Sequence, residues 1–244
     1  MLHDGPLSYL EPIENRSRGE AILEALARMI HQADLGVGDR LPPEVMMADQ
    51  LGVGRSTIRE ALNRWEGLGL IRRRRGDGTY LTAPIPDPEG PVPLLIKLEA
   101  EAVLRLLEVR RTLERDAARH AATRASAFQR SEISRLCGIL LSIVERGQNY
   151  HAADRQFHEA IFEASGNPLF GHILSRLNIA FEASEDSPFK RRAFGLASFP
   201  FHRTLADAIA DRDPDGAALA VNRLLDAVDA EVHLIMVDGP PPTH

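Results

Sequence analysis

The sequence predicts a mostly α-helical protein of two domains, a small N-terminal domain that ends in a β-hairpin and a larger all-helical C-terminal domain. Three observations lead to this prediction. A helix, a glycine-rich turn and an arginine-rich helix precede a glycine-containing hairpin. Five prolines follow within residues 82–93, and they exclude helix and central strand because proline lacks the N–H group and fixes φ. After them, apolar residues recur at the three-to-four spacing of amphipathic helices.

The boundaries of the elements follow from these patterns. The predicted N-terminal domain covers residues 1–82, the proline-rich linker residues 83–93 and the helical domain residues 94–244. The first domain is expected to begin with a helix near residues 19–32 and to end in a hairpin near residues 72–81. Helical spacing is evident around residues 104–114 and again at 127–146, 150–164, 169–183, 198–210 and 216–237.

Size and composition indicate a globular protein. The 244 residues, 44% of them hydrophobic, suffice for two ordinary domains. The longest apolar run, residues 138–144, is far shorter than the roughly 20 residues of a membrane span, and the N-terminus has no signal-peptide pattern. We therefore expect a cytoplasmic protein with no membrane partner. The single cysteine, Cys137, lies in an apolar helical pattern and is interpreted as a buried core residue.

Positive charge is concentrated in one segment of an otherwise acidic chain. The net charge is −6, yet residues 55–75 hold seven arginines and only two glutamates. A capping box of Thr57 and Glu60 is expected to start a helix near Ser56. On this helix Arg55 and Arg59 share one face with Asn63, and an apolar stripe lies on another face, formed by Ile58, Leu62 and Trp65.

This arginine-rich helix has the residues of a DNA-recognition helix. Arginine can bind guanine O6 and N7 through two hydrogen bonds, and threonine can bind phosphate or contact a thymine methyl. The preceding short helix, residues 44–51, and the turn at 52–54 complete a helix-turn-helix, and residues 72–78 form a charged hairpin that serves as a wing. The alternative is a solvated face of ordinary ion pairs. The joint occurrence of turn, helix and wing favours DNA binding.

The N-terminal domain resembles the winged helix-turn-helix domain of the GntR family of bacterial transcription regulators. The resemblance rests on LPPE at residues 41–44, LGVGRSTIREAL at 51–62, GLGLI at 67–71 and GDGTYL at 76–81. It implies contacts with double-stranded operator DNA. The predicted DNA-binding residues are Arg55, Ser56, Thr57, Arg59, Arg73, Arg75 and Gly76. Val45 departs from the family, because many members carry an arginine there that adds a DNA contact.

The helical domain contains a second group of polar residues. His151, Asp154 and His158 share one helical stripe, and His202 lies on a later helix. The i,i+4 spacing of Asp154 and His158 lets both side chains reach one cation. The same spacing also suits a simple hydrogen-bonded pair, so the pattern alone does not decide between the two.

The helical domain resembles the FCD effector domain of the FadR subfamily, through residues 107–114, 154–161, 164–168, 202 and 208–213. The resemblance implies an antiparallel helical bundle around a pocket, where an aspartate and three histidines often hold a divalent metal beside a carboxylate effector. Asp154, His158 and His202 match the first three ligands. Leu224 stands at the fourth position and cannot donate to a metal.

Two states of this predicted site remain open from the sequence. In one, zinc, nickel or manganese is bound by the three matching residues, with water or effector completing the shell; in the other, no metal binds. His151 could substitute for the missing ligand, although its Cα is roughly 10 Å from that of His158 on a helix. His233 lies about half a helical rotation from Leu224 and is expected to face elsewhere.

Arg110 matches a family arginine that pairs with an effector carboxylate. The predicted effector-binding residues are Arg110, Asp154, His158, His202 and Leu224. The planar guanidinium suits bidentate binding of a carboxylate. An ordinary i,i+4 ion pair between Arg110 and Glu114 is an equal alternative.

These observations together predict a ligand-responsive transcription regulator and not an enzyme. The expected protein is a homodimer on an inverted-repeat operator, controlled by a small carboxylate or acyl metabolite. One alternative is a metal-dependent enzyme with a DNA-binding appendage, against which stands the lack of a nucleophile elbow, a phosphate loop or an H-E-x-x-H motif. The other alternative is a DNA-binding protein that needs no effector.

Overall fold

The computed structural model describes residues 18–181, 187–191 and 193–240. Two compact units make up the chain. The first runs to Ala102 and includes the residues from Ile235 onward, and the second runs from Val103 to Leu234. The predicted first domain begins, and the predicted helix over residues 169–183 ends, outside the described residues. None of the described helices is long and apolar enough to cross a membrane.

The first unit has the predicted order of helix, helix-turn-helix and hairpin. Its elements are α1 (Arg18–Gln32), α2 (Glu44–Leu51), α3 (Arg55–Gly67), β1 (Ile71–Arg74) and β2 (Gly78–Leu81). The two strands are antiparallel, with Ile71 opposite Leu81 and Arg74 opposite Gly78. This confirms the winged helix-turn-helix prediction.

The core of the first unit is built on the apolar face of α3. Ile58, Leu62 and Trp65 are fully buried, as the helical spacing predicts, and they pack with apolar residues of α1 and α2. Residues of the proline-rich segment also belong to this core, since Ala83 and Ile85 are buried in it. Part of that segment is therefore fixed to the first unit.

The start of α3 differs from the prediction. The N-cap is Gly54, and no side chain caps the helix, so the predicted capping box of Thr57 and Glu60 is wrong. The helix begins one residue earlier than expected, and Thr57 donates its backbone N–H to the Gly54 carbonyl instead. The Ser56 and Thr57 hydroxyls are consequently not used as helix caps.

The turn between α2 and α3 depends on Gly52. This residue caps the C-terminus of α2 with φ 65°, in the left-handed region that glycine adopts without steric cost. Its N–H donates to Asp49, and the next N–H, from Val53, donates to Ala48 at 3.0 Å between N and O. The chain therefore leaves α2 abruptly and enters α3 within a few residues.

The second unit is all helical in its described part, which confirms the predicted fold class. Its long helices are α4 (Leu94–Arg124), α5 (Ala127–Glu145), α6 (His151–Ala164), α7 (Leu169–Phe181), α8 (Phe199–Ala210) and α9 (Pro214–Asp238), of which α4 begins and α9 ends with residues of the first unit. Short 3-10 turns lie at Pro188–Lys190 and Leu196–Ser198. The helices α5, α6 and α8 pack closely, and α6 and α8 carry the polar residues singled out from the sequence.

Replacing Gly52 by alanine should destabilise the first unit by about 1 kcal/mol, because an L-residue is strained in the left-handed region. Gly67→Ala is the matched control: a Cβ meets no atom within 4 Å at either position, but Gly67 lies in a helix. The control should be neutral or stabilising by up to about 1 kcal/mol. The only tryptophan, Trp65, is buried in this unit, so its fluorescence during denaturant unfolding measures both effects. Equal midpoints for the two variants would contradict this account of the turn.

Candidate functional site: an arginine-rich helix face and a buried polar cluster

The first candidate surface is the solvent-facing side of α3. Arg55, Ser56 and Arg59 are exposed in its first turns, and Thr57 is half-buried beside them. The apolar stripe on the opposite side fixes this orientation because it is buried in the core. The predicted recognition residues therefore form one continuous polar surface.

Arg59 is the member of this surface with the most contacts. Its Nε and Nη2 both lie 3.3 Å from Oε2 of Glu44, the first residue of α2. Its backbone carbonyl accepts a hydrogen bond from Nη2 of Arg73 at 3.3 Å. Arg59 and Glu44 lie 15 positions apart in the sequence and on different helices. The sequence analysis did not predict this contact.

The hairpin places its arginines in two different ways. Arg73 lies against α3, where its backbone N–H donates to Glu66 Oε1 at 3.0 Å and its Nε is 3.6 Å from Glu66 Oε2. Arg75 and Gly76 are exposed in the turn between the strands, with Gly76 at φ 77°. Arg73 thus connects the wing to α3, and its predicted phosphate contact stays a prediction.

The second candidate site lies in the helical unit. Asp154 and His158 from α6 meet His202 from α8, and one ligand atom of each lies within 4.8 Å of the others. His202 Nε2 is 3.1 Å from Asp154 Oδ1 and 3.4 Å from His158 Nε2. The remaining distance, from His158 Nε2 to Asp154 Oδ1, is 3.7 Å. These three groups could hold a metal ion.

The orientation of His202 follows from its other ring nitrogen. Nδ1 lies 3.3 Å from the carbonyl oxygen of Ser198, which favours the tautomer in which Nδ1 carries the proton, because a carbonyl only accepts. In the neutral ring, Nε2 is then an acceptor that faces the Asp154 carboxylate. In this tautomer the two acceptors repel each other unless a cation lies between them.

Glu114 is a buried carboxylate beside the cluster. Its Oε1 accepts a hydrogen bond from Arg110 Nε at 2.6 Å, and its Oε2 is 3.8 Å from His158 Nδ1. The side chain is 3% exposed, whereas Arg110 is 25% exposed and Asp154 33%. Arg110 and Asp154 are therefore the more exposed charged groups at this site.

Burial and charge act in opposite directions on the titrating groups. Burial raises the pKa of Asp154, but His158, the His202 hydrogen bond and Arg110 outweigh it and lower that pKa to about 2. Burial lowers the pKa of His158 below its usual value, despite the opposing charges of Asp154 and Glu114. An ionised aspartate beside a neutral imidazole is the protonation state that metal binding requires.

Arg110 keeps its positive charge at this site. Burial works to lower its pKa, but the charge and hydrogen bond of Glu114 outweigh burial and raise the pKa above its ordinary value. Asp154 acts in the same direction. The ion pair with Glu114, the alternative role considered for Arg110, is present, and Arg110 also lies close enough to the cluster for its charge to act on Asp154.

The other sequence candidates lie in different surroundings. His151 is exposed, and its ring lies 4.6 Å from that of Tyr150 between centroids. His233 is exposed and its Nδ1 is 2.9 Å from the carbonyl oxygen of Asp229. Leu224 is buried in α9. Neither histidine belongs to the group formed by Asp154, His158 and His202 among the described residues.

Comparison with known proteins identifies both units. A model of the FCD domain family matches residues 105–227, just over half of the 244 residues, and a model of bacterial regulatory proteins of the gntR family matches residues 18–81. The chain therefore belongs to the FCD-containing GntR regulators. It is a ligand-responsive, DNA-binding transcription regulator and not an enzyme, as the sequence predicts.

Individual relatives agree with this assignment. The chain is 28% identical to YcbG of Bacillus subtilis (strain 168), described as an uncharacterized HTH-type transcriptional regulator, over 84% of this chain and 85% of that protein. It is 26% identical to the HTH-type transcriptional repressor NanR of Citrobacter rodentium (strain ICC168), over 92% and 88% respectively. A GntR-family regulator from Pseudomonas syringae pv. tomato str. DC3000 has a similar fold, with a TM-score of 0.51 and 18% identity over 94% of both chains.

Proposed function

We propose that this regulator binds an inverted-repeat operator as a homodimer in the cytoplasm, with the solvent-facing side of α3 in the major groove. The exposure of Arg55, Ser56 and Arg59 on one side of a helix whose opposite side is buried supports this role. Two half-sites multiply affinity and specificity, which a single small domain with a modest contact area cannot supply. Arg75 and Gly76 at the wing tip then contact phosphate or the minor groove.

Replacing Arg59 by alanine should remove operator preference. The expected loss is about 1–3 kcal/mol on the selected duplex, the range for one bidentate base contact, with little change on a scrambled duplex. The duplex is first selected by the wild-type protein from a randomised library, and affinities are then measured by fluorescence anisotropy. Arg75→Ala is the comparator: it should weaken both duplexes alike and reduce the salt slope by about one. Full discrimination by Arg59→Ala would exclude the assigned role.

We propose further that Asp154, His158 and His202 bind one divalent ion, such as zinc, nickel or manganese. The observation that supports this proposal is the spacing of their ligand atoms, whose three pairwise distances are 3.1, 3.4 and 3.7 Å. Zinc bonds of 2.0–2.1 Å in a tetrahedron place neighbouring ligand atoms about 3.3 Å apart. The donor set therefore fits, and the ion would supply the positive charge that faces Asp154.

Glu114 supports this site without being a ligand. It lies on the Nδ1 side of His158, opposite the Nε2 that faces Asp154 and His202. A carboxylate on that side favours the tautomer in which Nδ1 carries the proton and Nε2 offers its lone pair. Three protein ligands leave the last coordination position to water or to a ligand.

Replacing Leu224 by histidine should raise zinc and nickel affinity, because an imidazole at the family's fourth ligand position adds one directional bond. Isothermal calorimetry on metal-stripped protein measures the gain. Leu224→Asn, a neutral polar side chain that is a poor zinc ligand, is the control and should give none. If Leu224→His binds no more tightly than wild type while Asp154→Ala abolishes binding, the metal site stands but residue 224 does not lie beside it.

We propose finally that the effector is a small carboxylate or acyl compound whose charged end binds Arg110. The Arg110 side chain is a quarter exposed and its charge acts on Asp154, so its guanidinium can meet a carboxylate that also approaches the ion. Nε of Arg110 already donates to Glu114, so the effector carboxylate would bind the Nη groups. Leu224 would then contact the apolar part of the effector.

A screen of organic acids and acyl thioesters by thermal shift tests this proposal. A ligand at 100 times its Kd should add about 2.7 kcal/mol to the free energy of unfolding. Arg110→Lys should lose that stabilisation for every carboxylate hit, because lysine keeps the charge beside Glu114 but lacks the planar fork. Operator binding without ligand should be unchanged. A full thermal shift in Arg110→Lys would mean that Arg110 serves only as the partner of Glu114.

A further inference from the structure

Arg59 is an exposed arginine held by an acid from another helix, at the surface that faces DNA. Oε2 of Glu44 is 3.3 Å from both Nε and Nη2 of Arg59. The Arg59 side chain is 56% exposed and that of Glu44 is 21% exposed. The contact therefore leaves the arginine accessible while it restricts the direction of its guanidinium.

The edge of the guanidinium that Glu44 uses determines what remains. Its five N–H groups form a planar fork, and Glu44 accepts from the Nε and Nη2 side. Both N–H groups of Nη1 and one of Nη2 then point outward. This end-on pair of nitrogens matches the O6 and N7 acceptors of guanine in the major groove.

The backbone of Arg59 is fixed as well. Arg73 donates from Nη2 to the Arg59 carbonyl, and Glu66 accepts from the backbone of Arg73, so the hairpin holds this turn of α3. By contrast, the Arg55 and Arg75 side chains make no hydrogen bond or ion pair with any other residue of the described ranges. Arg59 alone among these three is oriented before DNA arrives.

An acid at a DNA-binding surface has a cost. Its charge repels the phosphates of every duplex, whatever the sequence. An exposed ion pair contributes little to folding stability in return. Besides stabilising the first turn of α2, the acid can orient an arginine for a base edge, and ordering that side chain in advance reduces the entropy lost on binding and directs it away from phosphate.

We propose that Glu44 is a positioning residue that presents Arg59 end-on to a guanine, and that it increases sequence discrimination while it reduces affinity for DNA in general. This proposal rests on the proposed contact of Arg59 with the operator. It assigns the two residues to a single base pair of each half-site.

The experiment uses the full chain, the duplex that wild type selects from a randomised library, its single-base-pair variants and a scrambled duplex. Glu44→Gln should reduce the ratio of selected to scrambled affinity by about tenfold, as expected for loss of one bidentate contact. It should also bind the scrambled duplex about twofold more tightly, because one negative charge near the phosphates is removed. In Glu44→Gln, the affinity lost on substituting a base pair of the selected duplex should become smaller at one base pair only. This should be the same base pair at which Arg59→Ala reduces that loss.

Two matched variants separate orientation from charge and folding. Glu44→Asp keeps the charge but is one methylene too short to hold Arg59, so it should lose discrimination without the gain on scrambled DNA. Asp49→Asn removes an exposed acid from the same helix and should show the gain without the loss. Trp65 fluorescence reports folding of the unit in each variant.

Three outcomes would contradict the proposal, and each has a different meaning. Unchanged discrimination in Glu44→Gln and Glu44→Asp, or relaxation at a base pair different from that of Arg59→Ala, overturns the role of Glu44 and leaves operator binding intact. A parallel fall in both affinities with a lower unfolding midpoint shows a structural role instead. If wild type selects no preferred duplex, the operator contact of Arg59 fails and the role of Glu44 fails with it.

Discussion

The burial of one apolar stripe on α3 sets the arrangement of the whole DNA-facing unit. Ile58, Leu62 and Trp65 are each 0% exposed. Burying a large apolar side chain contributes about 1.5–3 kcal/mol, whereas an exposed ion pair contributes about 0–1 kcal/mol. The stripe therefore decides how α3 is rotated about its axis, and the charged residues take the side that is left. Hydrophobic packing, with no preference for any nucleic acid, thereby places Arg55 and Arg59 together on the surface.

In the helical unit the controlling quantity is charge. Asp154 is ionised with its side chain about two-thirds buried, and such a carboxylate is stabilised by nearby positive charge. Arg110 supplies part of it, but Arg110 is already paired with Glu114. The Nε2 nitrogens of the two imidazoles converge on the same carboxylate oxygen, where a bound cation would supply the remaining positive charge. Under the proposed function, a cation binds here and an anionic effector approaches the cation and Arg110 together.

Residues near in sequence were predictable, and contacts between distant elements were not. Periodicity predicted the helices and the apolar stripe of α3. The i,i+4 spacing indicated the pairing of Arg110 with Glu114 as one of two alternatives. His202 joins Asp154 and His158 from another helix, and only resemblance to a family suggested it. The capping box at Thr57 was wrong because a glycine can start a helix without any side-chain cap. The contact of Glu44 with Arg59 and the inward position of Arg73 depend on how α2 and β1 pack on α3, which no local pattern contains.

The attachment of the wing to α3 has a consequence for the entropy of DNA recognition. Arg73 joins the first strand of the hairpin to the recognition helix through Glu66 and the Arg59 carbonyl, so both are part of one ordered body before DNA is met. Only the turn at residues 75–77 lies beyond the paired strands. Ordering a residue costs about 1–2 kcal/mol, so the loss of backbone freedom on docking is confined to very few residues. Association of this unit with DNA should then be governed by diffusion and electrostatic attraction, with no folding step to slow it.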